Sequence, residues 1–268
     1  SHDAETNNLG IGSSALGGAI AGGEYNVAVG NASLDALTSG DYNTAVGYEA
    51  GTEITTGSGN NIFGRGAADS ITTGSRNLMM GQNTGANFDT ENDNLAIGTE
   101  ALNGTIAGGE QNVAVGNYTL DALTSADANT AVGYEAGTAV TTGGVNTFVG
   151  QRAGAGVTEG LSNVIIGANA AHGNSVTLTT GDQNVLVGRN IQTTDANSNT
   201  ANGLGYFLSC EGGYTTLGQS GDDIRAAHGN TSWATVSDKR FKKNIETSDA
   251  GLAVINDLRP VTYNWKTK

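Results

Sequence analysis

Few side chains in this chain have the type and grouping that chemistry needs, and the densest group lies late, in the stretch WATVSDKRFKKNI at residues 233–245. Lys239 is the first lysine of the whole sequence, and Arg240, Lys242 and Lys243 follow it around Phe241. From charge alone such a cluster is a solvated basic segment or a patch for an acidic ligand. Elsewhere the chemistry is sparse. His2, His172 and His228 have no partners at metal-ligand spacing, and no Asp-rich loop of the calcium-binding type is present, so no metal and no cofactor is expected. Gly64-Arg65-Gly66 and Gly203-Leu204-Gly205 superficially suggest phosphate loops, but neither follows a long strand or opens a helix, and 42 glycines produce such matches by chance. Hydrolysis of a polysaccharide needs two carboxylates across an aromatic-lined cleft. Carboxylates are plentiful here, whereas aromatic residues are 6% of the chain, too few to build sugar platforms.

Charge is segregated along the chain. Residues 1–237 hold all the acidic surplus and no lysine, residues 238–268 are net basic, and the formal total is −14. An acidic body repels nucleic acid and anionic lipid, so a phosphate-tracking role is not expected. No run of about 18 apolar residues exists, and no membrane insertion is expected. The single cysteine, Cys210, permits no intrachain disulfide and reads as a buried thiol. Rigidity must therefore come from hydrogen-bonded backbone and from other chains.

The element that positions everything else is a repeat. The phrase Asn-x-x-apolar-Gly recurs with Asn at 8, 26, 43, 60, 77, 94, 112, 129, 146, 163 and 184, mostly 17 residues apart. NTAVGYEAGTEITTGSG, from Asn43 to Gly59, shows the full unit. A longer period lies above it: IAGGEYNVAVGNASLDALTS from Ile20 returns as IAGGEQNVAVGNYTLDALTS from Ile106. A unit this short cannot hold a helix pair, but it holds two or three short strands and their turns, which is one coil of a β-solenoid. Gly in the fifth and fifteenth places supplies turn conformations closed to other residues. Asn in the first place tolerates left-handed backbone, and stacked coils bring its amide under the next one; turn former and ladder are both open readings.

Third and fourth places of the unit are both apolar or Gly, so the strand is buried on both faces. The large fourth residues (Val29, Val46, Phe63, Met80) are expected to point into the coil. The third residues, among them Ile62, Met79, Phe148 and Ile165, are then expected to face a second chain, because leaving them in water costs about 1.5 to 3 kcal/mol each. Two places break the rhythm: the extra residues after Ala171, expected as a protruding loop with His172, and the acidic stretch around Phe88. Loops on a repetitive rod are where binding is grafted, and a harmless insertion is the other reading of both places. After Arg189 the phrase decays, and 189–236 reads as a cap or narrow β stalk in which Tyr206, Phe207, Tyr214 and Trp233 pack at the axis between chains, with a ligand platform as the alternative.

The Asn-x-x-apolar-Gly repeat over 1–188 resembles the head repeats of trimeric autotransporter adhesins and, more, repeats of phage tail fibres and bacterial fibre-like adhesins. The phrase Ser-Asp-x-Arg-x-Lys-x-Asn-Ile from Ser237, followed by Leu-Arg-Pro-Val-x-Tyr-x-Trp, resembles the start of the endosialidase-type intramolecular chaperone domain. That resemblance implies a chaperone that trimerises the preceding β-rich fibre and then cuts itself off. By position, it implies Ser237 as nucleophile, Lys242 as its basic partner and Asp238 as the first residue released. The chemistry is consistent with the composition: neighbouring cations lower a lysine pKa, and the free amine can take the hydroxyl proton. Ser248 or Asp249 caps an expected short helix carrying Leu252, Ile255 and Leu258, which Pro260 ends. The family domain runs on past the Tyr-Asn-Trp-Lys segment, so 237–268 is expected to be its N-terminal part.

The expectation is thus an all-β chain: a trimeric parallel β-solenoid over 1–188, a cap over 189–236 and a chaperone segment with a short helix over 237–268. Its expected role is a homotrimeric fibre or adhesin segment on a virion tail or bacterial surface, attaching to a cell-surface glycan or protein receptor, with self-cleavage as its one enzymatic act. The alternatives are a tailspike-type polysaccharide depolymerase and a purely structural spacer.

Overall fold

The computed structural model describes residues 2–3, 7–105, 108–173, 175–230 and 232–235. Among them there is no helix, and the chain is a parallel β-solenoid of about 12 turns. Each coil contributes one three-residue strand, such as Val27–Val29, Thr44–Val46 and Asn61–Phe63. These pair in parallel and strictly in register, Ala28 beside Ala45 and Ala45 beside Ile62, through to Leu186 beside Gly203. At about 4.8 Å per coil the stack is on the order of 55 Å long.

The rest of each coil is turn rather than the second and third strands expected. Left-handed residues alternate along it (Glu49 at φ 55, Gly51 at φ 61), which bends the chain too tightly for strand geometry. Backbone pairing between coils nevertheless continues there, with Glu49 N donating to Asn31 O at 3.0 Å and Gly51 N to Ala67 O at 2.9 Å. Of the two open readings of the repeat Asn, the left-handed turn former fails, because that conformer does not fall on the Asn. It falls on the residue before it, for example Tyr42 at φ 57 and Ala128 at φ 57.

The Asn forms the ladder instead. Asn43 Nδ2 donates to Asn26 Oδ1 at 3.1 Å and to Gly57 O at 2.8 Å, while Asn43 N donates to the same Oδ1 at 2.8 Å. The pattern recurs up the stack, and Asn184 Oδ1 closes it by accepting the backbone N–H of Ala201. These asparagines are buried, and the ladder is how they satisfy the cost of burial. A second ladder runs through short polar residues one turn away: Asp41 N to Ser58 Oγ and Ser58 N to Ser75 Oγ, both 3.0 Å. A third uses the repeat threonine, Thr38 Oγ1 donating to Thr55 O and Thr55 Oγ1 to Thr72 O. The glycine of the fifth place has the special backbone expected, Gly47 at φ 149. That of the fifteenth does not; a Cβ on Gly57 would lie 2.2 Å from Gly74 O, so its requirement is the close approach of the next coil.

The expected facing of the strand is inverted. Third-place residues, including Ile62, Met79, Phe148 and Ile165, are fully buried inside the coil, and fourth-place residues point outward, with Val46 36%, Met80 41% and Ile166 37% exposed. Alternation says only that neighbours face opposite ways. Which one faces in depends on the direction the chain turns after the strand, and side-chain size misleads because the interior is already filled. Leu37, Ile54, Ile71 and Phe88 form one buried column through it. A further pair of columns shares volume: Ala28, Ala96 and Ala114 in the third place go with Leu34, Leu102 and Leu120 in the ninth, and Met79 and Phe148 go with Gly85 and Gly154. Where both places are small (Ala45 with Gly51, Ala131 with Gly137), the large side chains of adjacent coils fill the space, Ile62 and Leu34 at Gly51, Phe148 and Leu120 at Gly137.

Beyond residue 188 the sequence phrase fades, but the register continues. Val185 pairs Asn202 and Gln192 pairs Ser209, again 17 residues apart. The offset then shortens, with Asn202 beside Thr215. An antiparallel hairpin, Tyr214–Gln219 with Asp222–Ala227, follows and turns at Ser220-Gly221, both at positive φ as a two-residue hairpin loop requires.

Candidate functional site

Ser237, Asp238 and Lys242 lie outside the described residues, as does the helix expected over 248–260. What the structure offers is the surface of the rod, and three parts of it have the composition of a site.

The first is the outer sheet face. Second- and fourth-place side chains stand on it in rows: Leu9 and Ile11, Val46, Met80, Val132, Val149, Ile166 and Val185 are all exposed. The rows end at a shallow apolar depression among Val187, Leu204 and Leu217, with Leu204 57% exposed. A contiguous apolar strip of this kind marks an interaction surface.

The second is an acidic trough lined by Glu49, Thr52, Glu53, Asp69 and Ser70. Burial pushes the Asp69 carboxyl above the ordinary range, a hydrogen bond from Ser70 opposes this, and the charges of Glu49 and Glu53 add to the rise. Three coils on, Asp121 repeats the theme: burial raises it, the Thr138 hydroxyl opposes, and Glu100 and Glu135 add to the rise. No aromatic side chain lines the trough, so the platform that holds a sugar against paired carboxylates is lacking there.

The third lies at the insertion after Ala171. The neck is closed by Leu178 N donating to Ala171 O at 3.2 Å, and His172 bridges Thr177 across the loop. Beside it is a recess of about 130 Å³ lined by His172, Gly173, Ser175, Asn190, Gln192 and Phe207. His172 Nδ1 is buried without a hydrogen-bond partner. Burial holds the imidazole below its ordinary pKa, the Arg152 guanidinium lowers it further, and Glu135 partly offsets both. The other irregular place resolves into structure. Phe88 is fully buried in the interior column, and Glu91 is spent on backbone, its carboxylate accepting from the N–H groups of Asp89, Thr90 and Gly108.

Cys210 is buried, and burial pushes its thiol up to about 12, with the neighbouring Thr216 side chain as the opposing effect. The late aromatics are partly used within the chain: Tyr206 and Phe207 meet edge to face at 4.6 Å, and Arg225 lies over the Tyr214 ring at 5.2 Å. Trp233 is 52% exposed. The tyrosine pair Tyr25 and Tyr42, stacked at 5.2 Å on the rod surface, carried no signal in the repeat phrase, because their left-handed place accepts many residue types.

Residues 237–268 match the model of the family described as chaperone of endosialidase. No curated protein and no solved structure matches the chain. Chaperone domains of that family are self-cleaving. Such a segment directly after a parallel β-solenoid fits a phage-fibre-like protein. Among the described residues no helix is long and apolar enough to cross a membrane.

Proposed function

We propose that this chain is a fibre segment that attaches to a cell surface as a homotrimer, assembled by a C-terminal chaperone that releases itself at Ser237–Asp238. The observation that carries the reading is the chaperone-family match at 237–268 immediately behind a solenoid whose outer sheet face is apolar and uncovered. The occupant of that face is a second and third copy of the same chain: the rows repeat at every coil, so only a partner with the same rise per coil meets them along the whole length. Removing the rows from water is the driving force, at about 25 cal/mol per Å² of apolar surface.

In the release step Lys242, as the free amine, takes the Ser237 hydroxyl proton. The alkoxide adds to the carbonyl that joins Ser237 to Asp238 in a neighbouring copy of the chain, since attack on its own carbonyl would close a strained four-membered ring. Collapse of the adduct breaks the C–N bond with proton transfer to the leaving amine, and water then hydrolyses the ester. Mass spectrometry of the full chain tests this: the native protein is expected to yield a free 238–268 piece and Ser237→Ala to stay whole, while equal cleavage of both would overturn the assignment. Sedimentation of the uncut Ser237→Ala chain is expected to give three times the 27.0 kDa chain mass, and adding Ile166→Lys, on the outer face, to give single chains.

A further inference from the structure

We propose that the recess at the insertion after Ala171 binds one neutral sugar ring, the terminal residue of a surface glycan. The inference rests on the attachment reading and supplies its location. The insertion is free of a structural task. Asn163 and Asn184 are 21 residues apart in the sequence, yet Asn184 Nδ2 still donates to Asn163 Oδ1 at 2.9 Å and the flanking strands pair without a shift. The additional residues therefore leave the stack unchanged, and His172, Gly173 and Ser175 from that stretch line the recess.

The lining has the chemistry of carbohydrate recognition. Asn190, Gln192, Ser175 and His172 are short groups that both donate and accept, as ring hydroxyls require. Phe207 adds an apolar ring on which the C–H face of a pyranose packs. It stands in the same column of the coil as Asn169 and Asn190, and Asn169 Nδ2 holds Asn190 Oδ1 at 3.2 Å, which leaves the Asn190 amide preorganised. Gln192 is held likewise, its Nε2 on Ser209 Oγ at 3.1 Å. The buried Nδ1 of His172 has no hydrogen-bond partner among the described residues, so the imidazole's packing beside the recess is not fixed by a bond at that atom. Among the described residues no charged side chain lines the recess, which selects against sialic and uronic acids. Its 130 Å³ is below the ~300 Å³ where drug-sized pockets begin, room for one ring and not for a chain.

Saturation-transfer NMR on the full chain with methyl glycosides of galactose, glucose and mannose and with N-acetylglucosamine and N-acetylgalactosamine tests the site. At least one sugar is expected to receive saturation. Phe207→Ala and Asn190→Gly, the latter suited to the left-handed backbone at φ 53, are each expected to weaken binding about tenfold. In the native protein, adding that sugar is expected to shift the ring resonances of His172 and leave those of His228 in place, a readout that needs no variant. No transfer from any sugar, or transfer undiminished in both variants with His172 unmoved, overturns the site. Cell binding separates the two readings: equal cell binding by native chain and both variants sinks the recess and leaves attachment standing. Sugar binding without cell binding supports the recess and sinks attachment.

Discussion

Exchanging volume between the third and ninth places of one coil tests the interior packing directly. Phe148 is fully buried, and a Cβ built on Gly154 would lie 2.2 Å from its Cδ1 and 2.3 Å from its Cε1. Phe148→Ala empties the site at about 3–5 kcal/mol. Gly154→Leu alone overfills it at about 1–3 kcal/mol, with about 1–2 kcal/mol more for a side chain in left-handed backbone at φ 62. Independent effects would add to roughly 5–10 kcal/mol. The double variant, however, recreates the pairs Ala28 with Leu34, Ala96 with Leu102 and Ala114 with Leu120, whose leucines already sit at φ 48, 51 and 51. It is expected to lose only roughly 2–4 kcal/mol, a coupling of about 3 kcal/mol or more. Urea unfolding followed by circular dichroism at one fixed protein concentration gives the three differences, and the double is expected to outlast both singles. If it unfolds before either of them, the two columns do not share a volume and the packing rule is wrong.

The ladder, the acidic surface and the thiol give further expectations. Asn129→Ala removes the acceptor for the backbone N–H and amide of Asn146 and the donor to Gly143 O, and is expected to cost at least about 2 kcal/mol, whereas exposed Asn61→Ala is expected to be near neutral in the same melts. Asp69 and Asp121 are both raised, so the folded rod binds their protons more tightly than the unfolded chain. Their contribution to stability is therefore expected to rise as pH falls through the range above their ordinary value of 3.8, opposite in sign to that of His172. A melting difference between the native chain and an Asp69→Asn, Asp121→Asn variant that does not change over that range would contradict it. Cys210, buried and held up to about 12, is expected to stay unmodified by an aromatic disulfide reagent at pH 8 in the folded protein and to react fully in denaturant.

The repeat phrase contained the architecture because each of its invariant positions answers a local demand that neighbouring coils impose. Asn is there for the ladder, Thr for the bond to the next coil's carbonyl, and Gly for a carbonyl that leaves no room for a Cβ. A demand renewed every 17 residues leaves a periodic trace, so the solenoid was legible without coordinates. Three things were not. The inward face of the strand depended on the turn direction after it, and side-chain size pointed the wrong way for Ile62, Met79 and Phe148. The continuation past residue 188 was hidden because Ala201 can take the ladder's last bond through its backbone N–H, which any residue but proline supplies. The recess at His172 joins residues from three successive coils, and only the stacking of those coils makes 172, 190 and 207 neighbours. The sequence by itself determined a rod of stacked coils with a basic segment of separate chemistry behind it. Tertiary structure alone decided which apolar row is core and which is surface, because a period states what repeats and not which way the chain turns.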